Sequence, residues 1–208
     1  MPQNQQWILA LDTTGARLNL ALDSGTGQTR SQSLPLGRDL STDLHTQLQQ
    51  FVSPLSWEEM AAIAVLTGPG SYTGSRIGVV TARTLAQMLQ VPLYGYSTLA
   101  LAAAISAEPG AIAVSIPAQR HHVYGGVYQV EDARLYPTPL VADRNISILH
   151  WEAFLKIYET PLPHCQFEFS EDNSLKLVQR MTAIARQQLN SGQLGDWSRV
   201  LPAYGKPS

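Results

Sequence analysis

The residues of this chain whose types and spacing suit chemistry fall in three places. Asp12-Thr13-Thr14 closes the apolar run Trp7-Ile8-Leu9-Ala10-Leu11 and sets one carboxylate beside two hydroxyls. Such a carboxylate could hold Mg²⁺ through water in an ATP-dependent phosphotransferase, serve a peptidase, or cap its own turn. Thr67-Gly68-Pro69-Gly70-Ser71-Tyr72-Thr73-Gly74 is a glycine loop between an apolar run and a helical pattern, the setting in which phosphate-binding loops occur. Its details point elsewhere. Ser75-Arg76 follows Gly74 where a Walker sequence needs Lys and then Ser or Thr, and Ser71 is flanked by Pro69 and Thr73 where a nucleophile elbow requires glycines. No lysine precedes Lys156, which excludes a P-loop or Schiff-base lysine from the first half. The histidines His45, His121, His122, His150 and His164 form no metal pair, because adjacent His121 and His122 would face opposite ways on a strand. No metal site is expected, and the loop glycines are expected to permit a sharp turn and close packing.

The elements that must position these groups follow from periodicity. Trp7–Leu11 reads as a strand buried on both faces, Leu18–Leu22 as its hairpin return, and Gln28–Leu34 as a third strand. Leu40, Leu44, Leu48, Phe51 and Val52 recur at helical spacing, with Pro54 beyond them. Ala61–Leu66 is a second buried strand, and the glycine loop delivers the chain into a helix ending near Gln90. The order β-β-β-α-β-α is the half-domain plan shared by ribonuclease H and actin-like folds. Ser97 can cap an Ala-rich helix through Ile105, and Glu108-Pro109-Gly110 is the linker candidate. Ala111–Ile116 and Val123–Val130 read as strands, Asn173–Leu189 as a polar helix, and Pro202–Pro207 as a tail, while Leu135–Pro163 gives no assignment.

On the helix after the loop, Gly74, Gly78, Ala82 and Ala86 lie four residues apart and form one smooth ridge. A bare ridge lets another element approach closely: either the chain's own sheet or a helix of another chain. Ile77, Val80, Thr81, Leu85 and Met88 beside it would add apolar area at about 25 cal/mol per Å². If a second chain covers the ridge, Gly78→Leu should abolish pairing and leave the monomer folded.

Composition bounds the partners. Only 14% of the 208 residues are charged, low for a globular chain, which fits either surface buried against another chain or a surface of small and uncharged polar residues. The net charge of −2 is spread evenly along the chain, so neither half is the cationic module that holds nucleic acid by itself. One cysteine, Cys165, suits a reducing compartment, and Met1–Gln6 lacks the positive start of a signal peptide. Apolar runs such as Leu99–Ile105 are far short of the roughly 18 residues of a membrane span. The chain reads as cytoplasmic.

Ile8–Thr14, the run Ile63-Ala64-Val65-Leu66-Thr67-Gly68-Pro69-Gly70-Ser71-Tyr72-Thr73-Gly74-Ser75-Arg76-Ile77-Gly78, and Val91-Pro92-Leu93-Tyr94-Gly95-Tyr96-Ser97-Thr98-Leu99 together resemble the TsaB (YeaZ) family, the bacterial dimerisation subunits of the tRNA threonylcarbamoyladenosine machinery. The resemblance is specific through the first half; beyond it, Arg120, Val123-Tyr124 and Pro202-Ala203-Tyr204 are similar. There are departures. Ala118-Gln119-Arg120, preceded by Pro117, stands where the family usually has Asp-Ala-Arg; His122 replaces a common glutamate, and Arg38 or Asp39 a usual histidine.

The resemblance implies an α/β, actin-like ATPase fold (ASKHA, ribonuclease H-like) of two lobes, residues 1–107 and a degenerate 108–208. It implies a non-catalytic partner of TsaD, the subunit that forms N6-threonylcarbamoyladenosine beside the anticodon of tRNAs reading ANN codons. TsaE, an ATPase, joins that pair; a second copy is an alternative partner, and tRNA is reached only through the complex. No cofactor is expected in this chain, ATP and a metal ion belonging to the partner subunits. The expected interface is Leu44, Leu48, Gly74, Arg76, Ile77, Gly78, Thr81, Ala82 and Leu85, with Asp12, Thr13 and Thr14 as a vestigial nucleotide site. The rival expectation is an active phosphotransferase or peptidase that uses Asp12.

Overall fold

A computed structural model describes residues 6–106, 108–132, 135–157, 161–203 and 206–207. Met1–Gln5, the lobe boundary at Ala107, and Tyr204-Gly205 of the tail lie outside the described residues. The first sheet holds β1 (Trp7–Asp12), β2 (Leu18–Asp23), β3 (Thr29–Leu34), β4 (Met60–Gly68) and β5 (Leu93–Ser97) in the order β3-β2-β1-β4-β5. β1 to β3 form the antiparallel meander, and β4 and β5 continue parallel to β1. The second sheet holds β6 (Gly110–Pro117), β7 (His122–Val130), β8 (Thr138–Ser147), β9 (His164–Gln166) and β10 (Lys206–Pro207) in the order β10-β8-β7-β6-β9.

The sheets are stacked with helices between and outside them. α1 (Leu40–Val52) and α2 (Tyr72–Leu89) cover the outer face of the first sheet, packing Leu44, Leu48, Val79 and Ala82 against Leu9, Leu11 and Leu20. α3 (Thr98–Ser106) and α5 (Glu171–Asn190) lie between the sheets, where Ile8 and Ala10 from one and Ile112 and Val114 from the other join Leu177, Met181 and Ile184. α4 (Ile148–Lys156) closes the far side through Trp151 against Ala113, Val123 and Val127. This layering explains why β1 is apolar from Trp7 to Leu11: alternate residues face opposite ways, and both faces are covered.

The second half repeats the first as β6-β7-β8-α4-β9-α5, with the same β-β-β-α-β-α order and the same central pairing. The fold is the expected actin-like, two-lobe α/β architecture. β9 has three residues where β4, its counterpart, has nine, which is the physical form of the second lobe's degeneracy.

Several elements escape the sequence reading. β5 is five residues long and interrupted by Gly95, where a Cβ would lie 2.8 Å from Val200. β8 carries Pro139, and its register with β7 shifts twice, so its alternation is blurred. Together with α4 it occupies most of the stretch Leu135–Pro163 that carried no assignment, and the three-residue β9 follows directly after it. Ser97 does cap the Ala-rich helix, its hydroxyl accepting from the N–H groups of Leu99 and Ala100.

α5 ties the layers together, since Leu177 is fully buried where α5 meets the first sheet and α3. Leu177→Ala should cost about 2–5 kcal/mol of stability. A urea midpoint close to the parent's would contradict that placement.

Candidate functional site

The end of β1 is an internal knot. Asp12 is fully buried, and both carboxylate oxygens are engaged: Oδ1 accepts from the N–H and hydroxyl of Thr14, each at 2.7 Å, and Oδ2 from Asn19 Nδ2 at 2.9 Å. Burial pushes the Asp12 carboxyl above its ordinary 3.8, against the lowering effect of its hydrogen bonds to Thr14 and Asn19. The geometry makes Asp12 a cap of its own turn and leaves no oxygen turned outward for a hydrated Mg²⁺. The phosphotransferase or peptidase reading built on Asp12 loses its open carboxylate. Thr13 also turns inward, its hydroxyl donating to Gly74 O at 2.7 Å; of the three residues, only Thr14 lines the cleft described below.

The glycine loop seats α2 on this knot. Ser71 N–H donates to Thr14 O at 2.6 Å, and the Ser71 hydroxyl accepts from Gly74 N–H as the cap of α2. A Cβ on Gly74 would stand 2.0 Å from Thr13 O, and one on Gly78 2.1 Å from Thr13 Oγ1. Ala82 and Ala86 continue the same contact, both fully buried against the first sheet. The ridge Gly74, Gly78, Ala82 and Ala86 is therefore occupied by the chain's own sheet, and its assignment to a partner is corrected. Gly78→Leu would collide with Thr13 inside the monomer, so it cannot separate pairing from folding. Leu44 and Leu48 are corrected likewise, because α1 turns its apolar stripe onto the first sheet.

With the ridge turned inward, another row of α2 points out. Tyr72, Val80 and Met88 are 57%, 61% and 76% exposed, with Arg76 and Thr84 completing a row at four-residue spacing. Ile77 and Leu85 flank it half-buried, while Thr81 is only 8% exposed. The Arg76 guanidinium stacks over the Tyr72 ring at 3.9 Å and donates to its hydroxyl. Arg76, Ile77 and Leu85 thus remain on the outer side, as the interface reading requires. Tyr72 escaped that reading, although its place in the row 72, 76, 80, 84, 88 is legible in the sequence.

Between the lobes run two adjoining hollows of about 640 and 890 Å³ that share Gly70, Ser71, Pro117 and Tyr124. Arg38 lines one beside the aromatic rings of Phe167 and Phe169; Arg120, His122 and Asn145 line the other. The departures at Ala118-Gln119-Arg120 and His122 therefore all fall on this cleft. Arg120 and His121 form the β6–β7 turn with φ of +57° and +58°, values costly for residues with a Cβ. Among the described residues, no three of His, Cys, Asp and Glu converge to hold a metal ion, and no helix is long and apolar enough to cross a membrane.

Comparison with known proteins adds a family. The family model described as TsaD, tRNA N6-adenosine threonylcarbamoyltransferase, matches residues 47–173. The tRNA threonylcarbamoyladenosine biosynthesis protein TsaB of Bacillus subtilis (strain 168) is 32% identical over 158 residues, an alignment covering 74% of this chain and 68% of that protein. TsaB of Escherichia coli (strain K12) is 33% identical over 131 residues, covering 60% of this chain and 56% of that one. The structure of YeaZ from Pseudomonas aeruginosa superposes with a TM-score of 0.73 at 21% identity, covering 96% of this chain and all of that one, which is a likeness of fold.

Asp12 gives a pH test. Because its folded carboxyl titrates above 3.8, the fold favours the protonated form, and the Asp12 contribution to stability declines as pH rises from 3.8 through the folded value. Urea midpoints of the parent chain and Asp12→Asn, taken between about pH 4 and 7, should differ by an amount that changes in this direction. A difference independent of pH would mean that Asp12 is not buried as described.

Proposed function

Because the chain belongs to the TsaB (YeaZ) family and shares with TsaD the sequence model spanning residues 47–173, we propose that it acts in tRNA threonylcarbamoyladenosine biosynthesis as a non-catalytic subunit paired with TsaD. The observation that carries this reading is the outward row of α2. Tyr72, Val80 and Met88 place large apolar side chains in solvent on one helix, beside half-buried Ile77 and Leu85. Covering such a row removes apolar area from water. The stacked Arg76–Tyr72 pair adds residue types common at interface hot spots.

On this reading the first lobe, residues 1–107, carries the partner face and 108–208 forms the second lobe. TsaD occupies the α2 face; a second copy takes the same face when TsaD is absent, so the two exclude one another. TsaE joins the pair, and tRNA meets the chain only within the complex. ATP and metal chemistry belong to the partner subunits, and the assembly works in the cytoplasm. The sealed Asp12 supports the non-catalytic part, since a carboxylate saturated by Thr14 and Asn19 is poorly placed to serve a substrate.

Val80→Glu with Met88→Glu puts two charges on the exposed row without touching the buried ridge. The double variant should bind TsaD from the same cell at least about tenfold more weakly, a change of about 1.4 kcal/mol, while its melting temperature stays near the parent's. Undiminished binding in a titration would remove the α2 face from the interface.

A further inference from the structure

The hydrogen bonds divide the molecule into two bodies. α5 follows the first sheet: Arg17 pairs with Glu171 at 2.8 Å, Gln179 donates to Ser31, Arg186 holds the backbone of Asp23, and Tyr96 donates to Gln188. The second sheet with α4 forms the other body. Apolar contact between the bodies is extensive and close-packed, and directional polar ties add to it at one place.

Directional ties from the first sheet to the second gather at Ser97, the last residue of β5. Its hydroxyl accepts from the first N–H groups of α3 and donates to Asp143 Oδ2 of β8 at 2.6 Å. Its own N–H donates to the Tyr136 hydroxyl at 3.0 Å, and the Tyr136 ring packs 5.2 Å from that of Tyr96. Tyr128 of β7 donates to Asp143 Oδ1, which anchors the carboxylate from its own sheet. Gly126 leaves room for this arrangement, since a Cβ there would come within 2.9 Å of Tyr128 and 3.0 Å of Asp143. Burial raises both tyrosines, Tyr136 to about 12, so their hydroxyls keep their protons at neutral pH.

We propose that Ser97, Asp143, Tyr128 and Tyr136 form a latch that fixes the angle between the lobes and with it the width of the cleft between Arg38 and Arg120. A carboxylate with one oxygen bonded to each body is a rigid link at the point where α3 leaves the first sheet for β6. In place of a hinge that opens, the junction holds one aperture. The inference does not depend on which partner the α2 face binds.

The test is an interlobe distance. Spin labels at Gln32 on β3 and Glu152 on α4, both exposed and both off the α2 row, report the separation of the bodies in a full-length Cys165→Ser background diluted with unlabelled chain. The parent should give one narrow distance distribution. Asp143→Ala should broaden it or move its centre by about 2 Å or more, the scale of a domain rearrangement, with helical content unchanged. Tyr136→Phe removes one tie while keeping the ring, and should broaden the distribution less. An Asp143→Ala distribution that matches the parent's overturns the latch. If Asp143→Ala does not fold, Ser97→Ala takes its place: broadening supports the latch and a parent-like distribution overturns it.

Discussion

Thr13 at the end of β1 touches α2 more closely than any residue with a Cβ on the facing helix would allow. Its hydroxyl is hydrogen-bonded to Gly74 O, and the missing Cβ atoms of Gly74 and Gly78 are the space it occupies. This contact fixes the depth of the helix and, because residues four apart share a row, its rotation about its own axis. Once Gly74, Gly78, Ala82 and Ala86 must face β1, the row from Tyr72 to Met88 must face water. The small residues that look like a docking ridge in isolation set the orientation of a different docking row, one step removed from it.

The duplicated plan gives the two halves different tasks. In the first, a nine-residue β4 and two full helices build a closed outer layer. In the second, β9 has shrunk to three residues, and α5 binds the first sheet through Arg17, Ser31 and Asp23. Among the described residues, α4 is the helix that covers the outer face of the second sheet. Beside the apolar core that the lobes share, a few placed polar groups tie them, and this is the role proposed for the Ser97 cluster.

The legible part of the molecule was the part governed by local patterns. β1, β2 and α1 show the period of their own secondary structure, so their existence and their buried faces follow directly from residue order. The glycine loop was also readable as steric, because the residues that phosphate chemistry needs are absent around Ser71 and Ser75. What the sequence left open was what each face would meet. The ridge on α2 satisfies a home sheet and a foreign helix equally well, and the choice is made by Thr13, sixty-one residues away along the chain. β8 and β9 were hidden for another reason: a proline, two register shifts and a three-residue length erase the alternation that marks a strand. Asp12 stayed open between a ligand and a cap of its own turn because the amide of Asn19, seven residues on, cannot be seen to reach it until the hairpin is folded.

The shortage of charge acquires a structural account from the same contacts. Several of the few arginines are used within the chain. Arg30 lies over Phe51 and donates to the carbonyls of Val52 and Ser53 where α1 ends, complementing the negative end of that helix. Arg17 joins Ser33 to Glu171, and Arg186 holds Asp23. Cations committed in this way cannot wet the outer layer. Along the exposed row of α2, the charge that remains is Arg76, itself stacked on Tyr72, while Val80, Thr84 and Met88 carry none. A low charge content and an inward-facing ridge are thus two aspects of one arrangement, in which the interior uses the polar groups and the outer helix is left apolar enough to favour being covered.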